Sequence, residues 1–210
     1  MMTVASSVPL RVMHVLPCLD AGGAETMVAE LAIALQRGGH AHVQVTSFFA
    51  SRPFLPERLS AAGVLYEDFG KRHGLDPAVM LRLQRAIVRF QPDVLHTHQY
   101  VLPYVYPVLL SHPALAALHT IHTLPRKETS RAGLLLQRLA FRRRVLPVAI
   151  NEVVASLACD FYRLPRIPIV FNGIDLEPYL DPNPPASWRA LNGIPSTSVV
   201  VACLAHLRPE

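Results

Sequence analysis

Apolar and polar positions along this chain follow two alternating periods. Residues 11–16 (RVMHVL) form a short β-favouring run, followed by a loop that contains Gly22 and Gly23. Apolar side chains then recur at Ala24, Met27, Val28, Leu31, Ala32 and Leu35, the spacing of one face of an amphipathic helix. Gly38 and Gly39 stop that helix, and residues 42–47 (HVQVTS) return to a strand pattern. Together these segments predict one βαβ unit.

The alternation continues. It predicts a weak strand over 64–67, a helix over 77–90 with Pro77 in its first turn, and a strand over 93–96. A proline-broken helix within 101–118, a strand over 117–122 and a helix over 130–143 come next. Then follow a strand over 145–150, a helix over 152–161, a strand over 167–171 and an Asn172-Gly173 turn. Short strands alternating with helices predict an α/β fold, a Rossmann-like doubly wound parallel sheet covered on both faces. Residues 181–192 carry three prolines and read as a linker, while 198–205 (SVVVACLA) is a continuous apolar run that suits a buried strand. The expected organisation is a Rossmann-like domain over 1–180, a linker over 181–197, and over 198–210 the start of a second domain left incomplete.

Composition narrows the class. With 51% hydrophobic and 17% charged residues among 210, disorder is excluded for most of the chain. Its 19 prolines are scattered and mark element boundaries. Cys18, Cys159 and Cys203 are odd in number and widely spaced, which predicts neither a disulfide framework nor a cysteine zinc site, and a reducing, cytoplasmic compartment. The apolar stretch near residues 12–19 is interrupted by His14 and Pro17, so no signal peptide is expected. Residues 101–118 lack Asp, Glu, Lys and Arg, but Pro103, Pro107, His112 and Pro113 argue for a broken helix rather than a membrane span.

The net charge of +5 is local. Residues 126–144 hold seven basic groups (Arg126, Lys127, Arg131, Arg138, Arg142, Arg143, Arg144) and one acid, against 13 basic and 14 acidic groups elsewhere. A nucleic-acid binder would spread its charge over an extended surface, so none is expected as a partner. Arginines beside Leu134, Leu135, Leu136, Leu139 and Phe141 suit an interfacial helix on anionic lipid, and equally a solvated face covering the sheet.

Candidate chemistry gathers at strand ends. Gly22-Gly23-Ala24-Glu25 lies between the first strand and the first helix, where free N–H groups attract phosphate. No GxGxxG fingerprint and no GKS or GKT loop is present. His96, His98, His119 and His122 fall at the ends of two strands. His96 and His98 share a face if their strand continues, while His119 and His122 point oppositely. A metal held by His96, His98 and His122 is conceivable, but no Asp or Glu stands beside them as a further ligand, and we expect no metal. Hydrogen bonding to substrate or catalysis suits His122 or His98, and for His14 and His119 the plainer role of a buried histidine bonded to backbone stays open.

In order and spacing these segments resemble the N-terminal half of a family 4 glycosyltransferase of the GT-B fold. The residues that carry the resemblance are Val15-Leu16-Pro17 through Gly22-Gly23-Ala24-Glu25, then Gly39-His40, then Pro92-Asp93-Val94-Leu95-His96-Thr97-His98, then Thr120-Ile121-His122. Val170-Phe171-Asn172-Gly173-Ile174-Asp175 and Ala205-His206-Leu207-Arg208-Pro209-Glu210 extend it, with His206 where the family usually has Arg and Asn151 where a serine is common. The resemblance implies a retaining, nucleotide-sugar-dependent transfer to a glycan or lipid-linked acceptor. No resident cofactor and usually no metal is implied, because the nucleotide-sugar is itself a substrate. By the same resemblance His122 is the catalytic histidine bonding the donor sugar, and His98 lines the acceptor side. Gly22 and Gly23, with Glu25 beside them, approach donor phosphates or acceptor, and Asn172 and Gly173 are structural. The chain is then the acceptor-side half, inactive alone, and peripheral at the inner face of a membrane if its basic segment touches lipid. Two alternatives stay open: a non-catalytic carbohydrate- or lipid-binding module of the same fold, and a metal-dependent hydrolase using the histidines.

Overall fold

The computed structural model describes residues 8–129, 131–176, 180 and 186–201, without the side chains of 131, 132, 186 and 187. Six strands make one sheet: β1 Leu10–Leu16, β2 Ala41–Ser47, β3 Leu65–Asp68, β4 Val94–His98, β5 Ala116–Ile121 and β6 Leu146–Ala149. All neighbouring pairs are parallel, in the order β3-β2-β1-β4-β5-β6. The helices are α1 Gly23–Arg37, α2 Phe54–Ala61, α3 Ala78–Phe90, α4 Leu102–Leu109, α5 Pro125–Glu128, α6 Arg131–Arg143, α7 Glu152–Tyr162 and α8 Ala186–Leu191. This is the expected Rossmann-like α/β fold.

The two faces of the sheet follow from strand alternation. On β1, Val12 and Leu16 pack with Val28 and Ala32 of α1 and Leu55 and Leu59 of α2. Met13 and Val15 pack oppositely, with Leu83 and Ile87 of α3 and Leu102 and Val105 of α4. Each fully buried aliphatic side chain contributes about 1.5–3 kcal/mol. His14 sits between Val12 and Leu16 on the α1 face and is fully buried, a polar ring where the alternation calls for a hydrophobe.

Three elements depart from the sequence reading. Helix α2 lies in a stretch given no element from the sequence; its Pro53 and Pro56 stand where a helix start lacks N–H partners anyway. The expected strand over 167–171 is a single parallel bridge between Ala149 and Ile169, since Pro168 cannot donate to a ladder. Short helix α5, directly after His122, was likewise unforeseen.

The chain divides into two compact units, Met1–Ile174 and Asp175–Glu210. In the second, Arg189 of α8 donates to the carbonyls of Pro195 and Ser198. Residues 198–201 are not a strand here, because among the described residues none offers them a ladder partner, and 202–210 lie outside the described residues. Among the described residues no helix is long and apolar enough to cross a membrane.

Candidate functional site

The strand order reverses its direction of growth between β1 and β4, so the chain leaving these neighbours diverges and opens a crevice at the carboxyl edge. Gly22 ends the loop after β1 as the N-cap of α1, with extended backbone and no side-chain cap. Its first-turn amides have no partner within the helix. A Cβ on Gly22 would run into the Glu25 carboxylate, which folds back over it, whereas Gly23 faces open space. Glu25 Oε1 in turn accepts from Gln99 Nε2 at 2.8 Å. Gln99 is the first residue after β4 and holds φ at 56°, a left-handed backbone that costs a non-glycine about 1–2 kcal/mol.

Beneath this crevice lies a group of imidazoles. Parallel pairing sets His14 beside His96, and period two puts His98 on the same face. His14 Nδ1 and His98 Nε2 are 3.1 Å apart, and His98 Nδ1 and His122 Nε2 are 3.0 Å apart. His96 Nε2 lies 2.8 Å from Thr120 Oγ1, with its ring centroid 4.1 Å from that of His98. Burial strips these rings of water and disfavours their cations. It lowers His14 to about 4 and takes His96 and His98 well below the ordinary histidine value. For His122 burial outweighs the Glu128 carboxylate, which pulls the other way, and the result is again about 4.

His122 lies just past β5. Buried Glu128 Oε1 accepts from the backbone N–H of His122 at 2.8 Å and of Thr123 at 3.1 Å, so α5 orders the segment that presents the histidine. His119 is on the opposite face, with Nδ1 2.9 Å from Thr97 Oγ1 and its ring against Phe141. Among the described residues, ring nitrogens of His14, His96 and His98 come within 4.8 Å of one another, a spacing from which a metal could be held. The trio weighed from sequence had His122 in place of His14. The group itself contains no carboxylate.

The basic segment does not act as one face. Arg126 and Lys127 of α5, Arg138 of α6 and Arg163 after α7 border a groove of about 740 Å³, with Leu157 and Phe161 as apolar lining and the Asp160 carboxylate among the cations. Arg138 donates to the Phe161 carbonyl at 2.6 Å and Arg142 to that of Arg163 at 3.1 Å. Arg144 instead donates to the carbonyls of His112 and Leu115, tying down the turn that enters β5. Arg143 is exposed on the last turn of α6, and the Arg131 side chain lies outside the described ones. Leu135 and Leu139, one turn apart on α6, are exposed.

The structure thus brings Gly22, Gly23, Glu25, His98 and His122 to one edge of the sheet. Sequence reasoning passed over three neighbours there. For His14 a backbone partner was left open, and it meets His98 instead, because only the β1–β4 pairing reveals its neighbour. Gln99 carries no signal in the sequence, since a left-handed glutamine looks like any other. Glu128 stood out only as a lone acid among cations.

Residues 21–178 match Glycosyltransferase Family 4. No curated protein matches the chain. Among solved structures, Anabaena Alr3699/HepE in complex with UDP is similar at a TM-score of 0.70 and 15% identity, over 88% of this chain and 50% of that one. A glycosyltransferase from Rickettsia africae is similar at 0.66 and 17%, over 90% of this chain and 51% of that one. The glycotransferase of kitacinnamycin is similar at 0.51 and 15%, over 85% and 55%. The chain therefore spans about half the length of these neighbours. Three-quarters of the chain carries the family's pattern on the expected fold: it belongs to Glycosyltransferase Family 4.

Proposed function

We propose that this chain is the acceptor-side half of a retaining glycosyltransferase that moves a sugar from a nucleotide-sugar to a glycan or lipid-linked acceptor. The observation that carries this reading is the run of contacts along the carboxyl edge, from Gly22 to Glu25, from Glu25 to Gln99, and from neighbouring His98 to His122. Breaking a glycosyl–phosphate bond leaves negative charge on the leaving diphosphate and positive charge on the sugar. Unpartnered amides at the start of α1 suit the phosphate oxygens. A neutral His122 suits a hydroxyl of the sugar, because an uncharged imidazole adds no positive charge beside a carbon that is becoming electron-poor. HepE was solved with UDP, which makes uridine diphosphate sugars the first to test. No resident cofactor takes part in this reading, and the nucleotide-sugar is the substrate.

A second feature extends the reading. The groove beside Arg126, Lys127, Arg138 and Arg163 joins an excess of cations over its one carboxylate, Asp160, to apolar lining one short helix away from His122. That combination suits an anionic membrane surface on which a lipid-linked acceptor is carried.

The deciding experiment is turnover of nucleotide-sugars by the protein carrying this chain together with a nucleotide-binding half, with and without His122→Ala. Loss of roughly a hundredfold or more in the variant, with its fold intact, supports a catalytic histidine. Undiminished transfer sinks that role. Sugar binding without transfer favours a binding module, and metal-dependent hydrolysis favours the hydrolase.

A further inference from the structure

We infer that fully buried His14 is a positioning residue: as the inner end of a chain of imidazoles, it sets which nitrogen of His122 carries the proton. His14, His98 and His122 form one chain of imidazoles, joined Nδ1 to Nε2 at 3.1 Å and Nδ1 to Nε2 at 3.0 Å. At the inner end, His14 Nε2 is buried and has no hydrogen-bond partner. At the outer end the nitrogen outside the chain is His122 Nδ1.

A neutral imidazole carries one N–H and one bare nitrogen. In a chain of neutral rings, each junction needs one donor and one acceptor. The protons must therefore all point the same way, and the choice made at one end is imposed on the other. In the first arrangement every ring is protonated at Nδ1: His14 donates to His98 and His98 donates to His122. The dry end then holds a bare nitrogen, and His122 presents Nδ1–H outward. In the second arrangement every ring is protonated at Nε2, and a buried N–H on His14 faces no acceptor. Orphaned buried N–H groups are rarer than under-satisfied acceptors, which selects the first arrangement. His96 lies beside this chain rather than in it, since its Nε2 meets Thr120 Oγ1.

His122 consequently offers its other nitrogen, Nδ1, as a hydrogen-bond donor. It is matched to an oxygen acceptor such as a sugar hydroxyl and is unsuited to taking a proton there. Its use in transfer rests on the function proposed above, whereas the proton placement does not.

Imidazole nitrogen NMR at neutral pH tests the placement, because protonated and bare ring nitrogens have well-separated shifts. The expected result in the native protein is His14, His98 and His122 all protonated at Nδ1. His14→Phe moves the dry end to His98 Nε2 and should leave His122 protonated at Nδ1. His14→Asp places a carboxylate oxygen near the lost Nδ1, where it accepts from His98 Nε2–H, and should turn His98 and His122 to the Nε2–H form. In the protein with both halves, kcat should fall roughly ten- to a hundredfold in His14→Asp, the scale on which changing an outer partner of a working histidine acts. A native His122 protonated at Nε2 overturns the inference. So does a His14→Asp protein with an unchanged His122, a His14→Phe protein turned to Nε2–H, or a stoichiometric metal bound by these rings. If His14→Asp does not fold, the native tautomers and His14→Phe still decide. Absence of transfer with the expected tautomers counts against the proposed function and leaves the proton placement standing.

Discussion

Glu25 Oε1 accepts a hydrogen bond from Gln99 Nε2 at 2.8 Å, and this bond closes the crevice between the segments that leave β1 and β4. Both ends are constrained. Glu25 lies folded over Gly22, and Gln99 holds a left-handed backbone next to His98. Such backbone strain persists where the surroundings over-determine it.

Gly22→Ala should therefore act through Glu25. Its new methyl displaces the carboxylate and frees Gln99, at a loss of about 1 kcal/mol, the usual size of a hydrogen bond. In a Glu25→Ala background the same substitution should be neutral or slightly stabilising, because Gly22 has a φ of −145° that alanine accepts. Urea unfolding of the four proteins measures the coupling, and strictly additive effects would remove the proposed contact from the account.

Glu128→Ala leaves the amides of His122 and Thr123 without their acceptor. We expect a loss of about 1–3 kcal/mol, and a smaller one in Glu128→Gln, which keeps an oxygen. Thermal melts read this directly. Equal melting of Glu128→Ala and the native protein would show that α5 does not order the histidine segment.

Acid should unfold this protein through its histidines. His14 and His122 titrate near 4 when folded, against 6.5 for an unperturbed ring, and His96 and His98 are lowered as well. Below 6.5 the unfolded chain takes up protons that the folded one refuses, so stability is lost as pH falls from about 6.5 toward 4. Each such histidine steepens the loss by up to about 1.4 kcal/mol per pH unit. Chemical unfolding at several pH values checks the slope, and a flat profile through this window contradicts buried neutral rings.

Anionic liposomes should capture the protein in flotation, with release at high salt. Arg126→Glu and Lys127→Glu together should abolish capture without unfolding, since both side chains are exposed at the groove. Arg144→Glu should lower stability instead, because Arg144 holds the carbonyls of His112 and Leu115. Flotation insensitive to the double substitution would exclude the groove as the contact.

The 210-residue chain alone is expected to show no sugar transfer from nucleotide-sugars, since it spans about half the length of its structural neighbours. Measurable turnover by the purified chain contradicts the half-enzyme reading.

The order β-α-β along the first 50 residues, and most elements after it, were legible because hydrophobic period is local: it needs only neighbours within one turn or one pleat. Family membership was legible for the same reason, through short motifs in a fixed order. Helix α2 was missed, and it begins with Pro53 and Pro56, which a helix start tolerates; Pro168 reduced an apparent strand to one bridge. At the site, the sequence alone already marked Gly22, Gly23, His98 and His122. Nothing in it could pair His14 with His98, which lies 84 residues away, or place Glu25 against Gln99 across 74. Those partners depend on β1 lying beside β4, and that adjacency is settled by packing both faces of the whole sheet rather than by any stretch of chain. The sequence by itself thus determined most of the elements, the fold class and the family. The tertiary structure alone decided which side chains meet, because strand order is a non-local outcome of burying both faces at once.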